Sequence, residues 1–262
     1  MSITLDIGAT GMLAQQMNVD VISNNIANMT TTGYKKQRAE FQDLLYQTKV
    51  RPGSTSSDAG NTVPAGIQLG LGVKTGSVYR VNEQGALQIT DNELDLAVAG
   101  DGFFQITLPT GETAYTRDGS FQMNENGEMV TSEGYILQPG ITIPNDAVDI
   151  TINNSGEVLV KIQGQVALSN VGQIQLSIFQ NDAGLEALGD NLYLETEASG
   201  AATSGIPNST GFGRLQQGAL EGSNVNVVQE ITNLIQAQRA YEMNSKVIQT
   251  GDQMLSTVSQ LR

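Results

Sequence analysis

The stretch "VISNNIANMTTTGYKK", residues 21–36, marks the point at which a helical apolar pattern ends. Before it, apolar side chains recur every seven residues from Leu5 to Ile26, which is the spacing of a coiled-coil seam. Within it, short polar side chains compete for backbone hydrogen bonds, and Gly33 can adopt the left-handed conformation that ends a helix. We therefore predict an amino-terminal assembly helix within residues 1–30. Its predicted contact residues are Leu5, Met12, Val19, Ile22, Asn24, Asn25, Ile26 and Asn28.

A second seven-residue pattern occupies the other end of the chain, and it predicts a carboxyl-terminal assembly helix within residues 223–262. Asn226 followed by Gln229 resembles a capping box, so this helix should begin near Asn226. Gly251 costs about 1 kcal/mol relative to alanine in a helix interior, which leaves the continuity of the helix open. The predicted contact residues are Val227, Ile231, Leu234, Tyr241, Ile248 and Leu255.

Both apolar seams are narrow, and asparagine, glutamine and serine lie between their members. A helix that covers a globular core needs an apolar arc of three or four positions in two turns. The narrow seams therefore favour helices that meet helices over helices that pack on the sheet of one subunit. Asparagines in such a seam can set its register, at a cost in stability.

Between the helices, short alternating runs rich in β-branched residues predict a β-rich outer domain over residues 71–222. The clearest runs are "LDLAVAG" (94–100), "FFQITL" (103–108) and "EVLVKI" (157–162). Three segments in which asparagine opens a turn and glycine closes it predict hairpin tips. They are "NEQG" (82–85), "NENG" (124–127) and "NNSG" (153–156).

Residues 31–70 are predicted to form an extended connector that carries an exposed loop. The loop segment, "RPGSTSSDAGNTVPAG" at 51–66, is poor in apolar residues and rich in Gly, Pro, Ser and Thr. Its composition alone predicts an exposed loop. Its candidate residues are Arg51, Pro52, Gly53, Pro64 and Gly66.

Composition excludes several classes of function. The 262 residues contain no cysteine and no histidine, which removes Ser-His-Asp and Cys-His catalysis and the usual zinc sites. The net charge is −14, and residues 51–220 carry nineteen acidic but only six basic side chains, which disfavours binding to nucleic acid. We expect neither membrane insertion nor a cleaved signal peptide, because no long apolar run and no typical leader is present.

Three motifs partly resemble known ligand-binding sites, but each departs from the pattern that the site requires. "AGDGFF" (99–104) has no third glycine and no following helix, as a dinucleotide site requires. "DNELD" (91–95) and "NENGE" (124–128) do not fit a calcium loop, and paired carboxylates without tryptophan or many aromatic residues do not suggest a sugar cleft. We therefore predict no catalytic residue, no cofactor and no metal site.

Four segments resemble the axial proteins of the bacterial flagellum, the family of rod and hook subunits. Together the segments span almost the whole chain. They are "SNNIANMTTTGYKKQRAEFQDLLYQ" (23–47), "LAVAGDGFFQI" (96–106), "YTRDGSFQMNENGEMVTSEGYIL" (115–137) and "GALEGSNVNVVQEITNLIQAQRAYEMNSKVIQTGDQML" (218–255). In addition, "LLYQTKVRPG" (44–53) and "VPAGIQLGLGV" (63–73) are similar to the stretch typical of distal rod subunits.

The resemblance implies a mixed α and β fold, in which the terminal helices pair as an inner coiled-coil layer and a β-rich domain lies outside. It implies a structural subunit that polymerises into a torque-carrying shaft across the periplasm. On this interpretation, we predict that the loop at 51–66 is a clamp between subunits that keeps the shaft straight. The implied partners are copies of itself, proximal rod proteins, the hook protein, the P and L ring proteins and the flagellar type III export apparatus. A proximal rod or hook-like subunit is the alternative within the family, and a periplasmic cell-wall-binding module is the alternative outside it.

Overall fold

The computed structural model of the protein describes residues 3–53, 65–164 and 167–260. These residues form two compact units. The helical unit consists of the described parts of residues 1–27, 37–79 and 226–262, and the β-rich unit consists of those of residues 28–36 and 80–225. A helix near each end of the chain and strands between them confirm the predicted mixture of α and β structure. Within the described residues, neither helix is long and apolar enough to cross a membrane.

The helical unit contains two long helices that pack together, α1 (Ile3–Ala27) and α2 (Val227–Gln260). Asn226 caps α2 as predicted, because its Oδ1 accepts a hydrogen bond of 3.2 Å from the Gln229 amide. The helix continues through Gly251 without a break. The continuity that the sequence left open is therefore settled in favour of one helix.

Four short strands complete the helical unit. They form two pairs that lie end to end in one two-stranded ribbon. Its strands are β1 (Gln37–Asp43), β2 (Tyr46–Val50), β3 (Ile67–Gly70) and β4 (Val73–Arg80), of which β1 pairs with β4 and β2 with β3. Backbone bonds from Leu44 to Gly72 and from Leu71 to Leu45 join the two pairs into one ribbon. The ribbon occupies most of the predicted connector and extends past residue 71, because β4 pairs with β1.

The β-rich unit is built from sixteen short strands within the described residues. They are β5 (Leu87–Ile89), β6 (Leu96–Ala99), β7 (Phe103–Thr107), β8 (Thr113–Thr116), β9 (Gln122–Met123), β10 (Met129–Val130), β11 (Ile136–Leu137), β12 (Ala147–Ile152), β13 (Glu157–Ile162), β14 (Ser169–Gln173), β15 (Leu176–Ile178), β16 (Glu186–Gly189), β17 (Leu192–Leu194), β18 (Thr203–Gly205), β19 (Arg214–Gln217) and β20 (Ala219–Glu221).

The strands of this unit form one large sheet and several small ones. The large sheet has the order β16-β17-β8-β7-β11-β10-β9, and β15 links its β7 to β18. The other strands form a three-stranded sheet, β12-β13-β14, and the pairs β19-β6 and β20-β5. The described residues form three buried apolar clusters, and the largest includes fully buried Phe104, Met129, Val158 and Leu215. The predicted strands around residues 96, 103 and 157 are confirmed.

Two of the three predicted hairpin tips are correct. "NENG" connects β9 to β10 and "NNSG" connects β12 to β13, and Gly127 and Gly156 have φ of +78° and +83°. The prediction for "NEQG" is wrong, because the flanking strands β4 and β5 do not pair with each other. Instead, the Gly85 amide donates a hydrogen bond of 2.9 Å to the buried carboxylate of Glu221.

Gly33 has the predicted left-handed conformation but not the predicted role. Its φ is +67°, yet α1 already ends at Ala27, so Gly33 is not the cap of that helix. Its amide donates a hydrogen bond of 2.7 Å to the Glu221 carbonyl. A Cβ at this position would lie 2.9 Å from the backbone carbon of Arg117. Gly33 therefore allows a close backbone approach inside the β-rich unit.

Candidate assembly interface

The contact between α1 and α2 depends on glycines that let the helices approach closely. A Cβ built at Gly8 would lie 2.7 Å from Cγ1 of Ile248, and one at Gly11 would lie 2.8 Å from Nδ2 of Asn244. At Gly251 the nearest atom would be Cδ2 of Leu5, at 3.3 Å. Position numbers rise along α1 as they fall along α2. The two helices therefore run antiparallel.

Asn25 joins three elements at the opposite end of this helix pair. Its amide group is 1% exposed, donates to the Gln37 carbonyl at 2.9 Å and accepts from the Gln37 amide at 2.8 Å. The same Nδ2 lies 3.4 Å from a carboxylate oxygen of Glu230, which is 9% exposed. These contacts connect the end of α1 to the start of β1 and to the first turn of α2. This predicted interface residue thus bonds within its own chain.

The most buried row of α2 lies beside the predicted apolar seam. Glu230, Ala237 and Gly251 are buried, and half-buried Asn244 completes their seven-residue spacing. The predicted seam residues are less buried: Val227, Leu234 and Ile248 are half-buried, whereas Ile231, Tyr241 and Leu255 are exposed. Sequence reasoning missed the small and polar row because it counted apolar side chains. The seven-residue spacing of Glu230, Ala237, Asn244 and Gly251 is the signal that would have revealed it.

On α1, too, the most buried residues lie beside the predicted apolar seam. Leu5, Met12, Val19 and Ile26 are half-buried, while the buried residues are Gly8, Ala14, Val21, Ile22 and Asn25. Ile22 and Asn25 were predicted, and Gly8, Ala14 and Val21 were not. Of the remaining predicted residues, Asn24 is exposed and Asn28, which lies in the β-rich unit, is half-buried.

Large apolar side chains remain exposed on the other faces of both helices. On α2 they follow helical spacing in two rows, one at positions 228, 231 and 235 and one at positions 243, 247 and 254. On α1 the exposed residues are Ile7, Leu13 and Met17, and Leu13 is 66% exposed. Contiguous exposed apolar surface on a folded chain is typical of a binding surface. The α1–α2 contact therefore buries only part of the apolar surface of the helices.

The far end of the ribbon also exposes apolar side chains. Leu45 is 81% exposed, and Tyr46, Ile67 and Leu69 are exposed as well. Arg51, Pro52 and Gly53 follow β2 and are exposed, and Gly66 precedes β3. A Cβ at Gly66 would lie 2.3 Å from the Val50 carbonyl oxygen, so only glycine fits there. The predicted loop residue Pro64 lies outside the described residues.

The β-rich unit contains a buried cluster of three charged side chains. Glu221 lies between Lys35, whose Nζ is 2.6 Å from one carboxylate oxygen, and Arg117, whose Nε is 3.3 Å from the other. Burial and the nearby Arg117 lower the pKa of Lys35, and Glu221 opposes that shift. Burial likewise lowers the pKa of Arg117, with Glu221 again opposing. The carboxylate thus offsets part of the cost of burying the two cations.

This cluster explains the glycines of "AGDGFF". Gly100 and Gly102 have φ of +112° and +141°, which residues other than glycine rarely adopt. Their carbonyl oxygens accept hydrogen bonds of 2.8 and 2.7 Å from the Arg117 guanidinium. The motif therefore shapes the backbone around a buried arginine.

Models of three flagellar families match segments of the chain. Residues 5–35 match the flagella basal body rod protein family, and residues 97–160 match the D1 domain of the flagellar hook protein FlgE/F/G family. Residues 216–261 match the carboxyl-terminal region of the flagellar basal body rod FlgEFG proteins. The first and last matches cover α1 and α2, and the middle match lies in the β-rich unit.

Curated relatives are similar over nearly the whole chain. The flagellar basal-body rod protein FlgG of Caulobacter vibrioides is 64% identical over 254 residues, which is 97% of each chain. FlgG of Agrobacterium fabrum is 51% identical, again over 97% of each chain. FlgG of Bacillus subtilis is 39% identical over 97% of each chain.

Proposed function

The chain belongs to the family of flagellar basal-body rod proteins and is a structural subunit of the distal rod, and on this premise we propose that it polymerises into a torque-carrying helical shaft. The observation that carries the proposal is the exposed apolar surface of α1 and α2. Rows of valine, isoleucine and methionine at helical spacing would be costly to leave in water, and neighbouring subunits can cover them. A contact that is heterologous and does not close generates a helical filament.

We propose that the helices of neighbouring subunits form an inner coiled-coil layer. Within one chain, the faces of α1 and α2 that carry Gly8, Gly11 and Gly251 are already in contact, so the seam residues beside them lie at the edge of that contact. Tyr241 and Val19 line a groove between the helices together with Gln16, Gln238 and Glu242. A neighbouring helix that laid apolar side chains along this edge would complete the burial of the predicted seams.

We propose that the ribbon and its loop act as a clamp between subunits that keeps the shaft straight. A two-stranded ribbon alone is marginally stable in water, and this one exposes Leu45, Tyr46 and Ile67. Burial of these side chains against a neighbouring subunit would stabilise the ribbon and fix the contact. Deletion of residues 51–66 should therefore leave the β-rich unit folded and alter shaft straightness or length. A normal straight rod in the deletion strain would contradict the clamp.

Self-assembly with other rod and hook components follows from the family, and we propose more specific partners and a location. The neighbours would be the proximal rod, the hook protein and the surrounding P and L ring proteins, along a shaft that crosses the periplasm. The chain would pass through the flagellar type III export apparatus without signal cleavage. We propose that it catalyses no reaction, in keeping with a structural family.

Polymerisation of the purified chain tests the proposal. Leu13→Asp places a carboxylate on an exposed apolar face of α1, so it should block filament formation while the monomer keeps its helical circular dichroism and melting temperature. Thr4→Asp, at an exposed polar position of the same helix, is the matched control and should polymerise. Sedimentation and electron microscopy would report filaments, and motility of complemented cells would report function. Normal filaments of Leu13→Asp would refute a role of this face.

A further inference from the structure

The first and last segments of the β-rich unit lie side by side. The Gly33 amide donates to the Glu221 carbonyl at 2.7 Å, and the Lys36 amide donates to the Asn224 side chain at 2.7 Å. Asn224 in turn donates to the carbonyls of Val81 and Glu83, at 2.8 and 3.0 Å. Segments 28–36 and 219–225 are therefore joined by several bonds within one unit, although most of the unit separates them in sequence.

Glu221 offsets part of the positive charge that is buried in this junction. Lys35, Arg117 and Glu221 are 1%, 4% and 0% exposed, so two cations and one anion share a site without contact to water. Among the charged pairs of the described residues, Glu221 is the only carboxylate within 4.0 Å of either cation. Without it, two like charges would lie buried next to each other, which is strongly unfavourable.

Neutral groups also bond to the cluster but do not neutralise it, and among the described residues Oε2 of Glu221 has only the ion pair with Arg117. The Lys35 ammonium donates to the Glu83 carbonyl at 2.9 Å, and Arg117 donates to the carbonyls of Gly100 and Gly102. The Gly85 amide donates to Oε1 of Glu221. If an apolar side chain replaced Lys35, the Glu83 carbonyl would still accept a hydrogen bond from Asn224. Oε1 of Glu221 would still accept one from the Gly85 amide. Loss of Lys35 is therefore far better compensated than loss of Glu221.

We propose that Lys35, Arg117 and Glu221 form a closing clasp, through which the β-rich unit becomes stable only when the segment that carries Glu221 docks against the segment that carries Lys35. The two residues are 186 positions apart in sequence, so their contact closes a long loop and requires nearly the whole unit to be present. The part of the unit that adjoins α2 in sequence thus completes its folding. The clasp follows from the fold and does not depend on polymerisation.

The stability of full-length variants tests the clasp. Lys35→Met should destabilise the native chain but stabilise the Glu221→Gln variant. Glu221→Gln should raise the unfolding equilibrium constant about a hundredfold or more, the range found when one partner of a buried ion pair is removed. Lys35→Met should raise it about tenfold, because it leaves a neutral Arg117–Glu221 pair with its other bonds intact. In the Glu221→Gln background, Lys35→Met should instead lower the constant, since it removes one of two repelling cations.

The matched control is Lys36→Met, which removes an exposed ion pair with Glu83 of 3.4 Å and should change the constant less than threefold. Urea unfolding followed by circular dichroism gives the constants. If Glu221→Gln is unfolded without urea, the double variant should regain strand signal, and its failure to do so would overturn the proposal. Equal destabilisation by Lys35→Met in both backgrounds would also overturn it.

Hydrogen exchange of the same variants locates the effect. In Glu221→Gln, or in the double variant if the single one is unfolded, peptides from residues 28–36 and 219–225 should lose protection together. The amides of Gly33 and Gly222, which bond to Glu221 and Ala86, are the direct reporters. Loss of protection in only one of the two segments would mean that they are not closed by a common clasp.

Discussion

Gly8 of α1 lies so close to Ile248 of α2 that a Cβ on the glycine would come within 2.7 Å of Cγ1 of the isoleucine. The absence of one methyl group thus sets the distance between the helices at this point. Because Ile248 is itself a residue of the predicted seam, the contact also determines which part of the seam remains available to a neighbouring subunit.

Gly8→Val should separate the two helices and lower the stability of the helical unit. Overpacking of a close contact costs about 1–3 kcal/mol, and here the added atoms meet Ile248 directly. Ala9→Val adds atoms at an exposed neighbouring position and is the control. Thermal unfolding followed at 222 nm measures both variants. Equal melting curves would show that the helices can move apart without cost.

Substitutions at two adjacent positions of α2 should distinguish contacts within the chain from contacts between chains. Leu234 is half-buried, so Leu234→Asp should lower the free energy of unfolding of the monomer, by about 1–3 kcal/mol for a charge placed in partly buried surroundings. Ile235 is 45% exposed, so Ile235→Asp should leave the monomer unchanged and prevent polymerisation. Melting curves and filament assays on both variants provide the comparison. Identical behaviour of the two in both assays would contradict this division.

Gly33→Ala should destabilise the β-rich unit for two reasons at once. The residue has φ of +67°, and a Cβ would meet the Arg117 backbone at 2.9 Å, so a loss of about 2–4 kcal/mol is expected. Gly53→Ala is the control, because Gly53 has φ of +79° and its Cβ position has no atom of the described residues within 4 Å. It should cost only the conformational strain, about 1 kcal/mol. Urea unfolding measures the difference, and equal losses would show that the close approach at Gly33 is unimportant.

Asp182 should make the β-rich unit less stable as pH rises. Burial, and then repulsion from Asp101, raise its pKa above the ordinary value of 3.8, while Arg117, Asn82 and Lys35 oppose the shift. In the folded state it therefore holds a proton that the unfolded chain has lost. This stabilisation is complete below pH 3.8 and disappears as pH rises through the raised pKa.

Asp182→Asn removes this dependence and should raise stability at pH 7 relative to the native chain. Urea unfolding of both proteins from pH 3.5 to 7 measures the effect as a difference between the two curves. Asp190→Asn, at an exposed acidic position, is the control. A difference that does not change with pH would show that the carboxylate is not the cause.

Long-range contacts mark the limit of what the sequence could predict. Helix bounds near Ala27 and Asn226 and two hairpin tips depend on neighbours within a few residues, so local patterns were sufficient. Gly33 and Gly85 were misread because their role is to approach Arg117 and Glu221, which lie far away in sequence. On α2 the buried row lies three positions from the predicted seam for a related reason, since glycine and alanine allow close packing that a count of apolar side chains does not register.

The antiparallel pairing of α1 and α2 places residue 5 of the chain beside residue 251. Because the sequence contains no cysteine, a thiol introduced at each of two exposed neighbours of this contact, such as Thr4 and Asp252, would be the only pair of its kind in the subunit. A donor and an acceptor dye on those thiols would transfer energy efficiently when the helices are paired and weakly when they separate. The chain thus offers an optical readout of when its two ends come together.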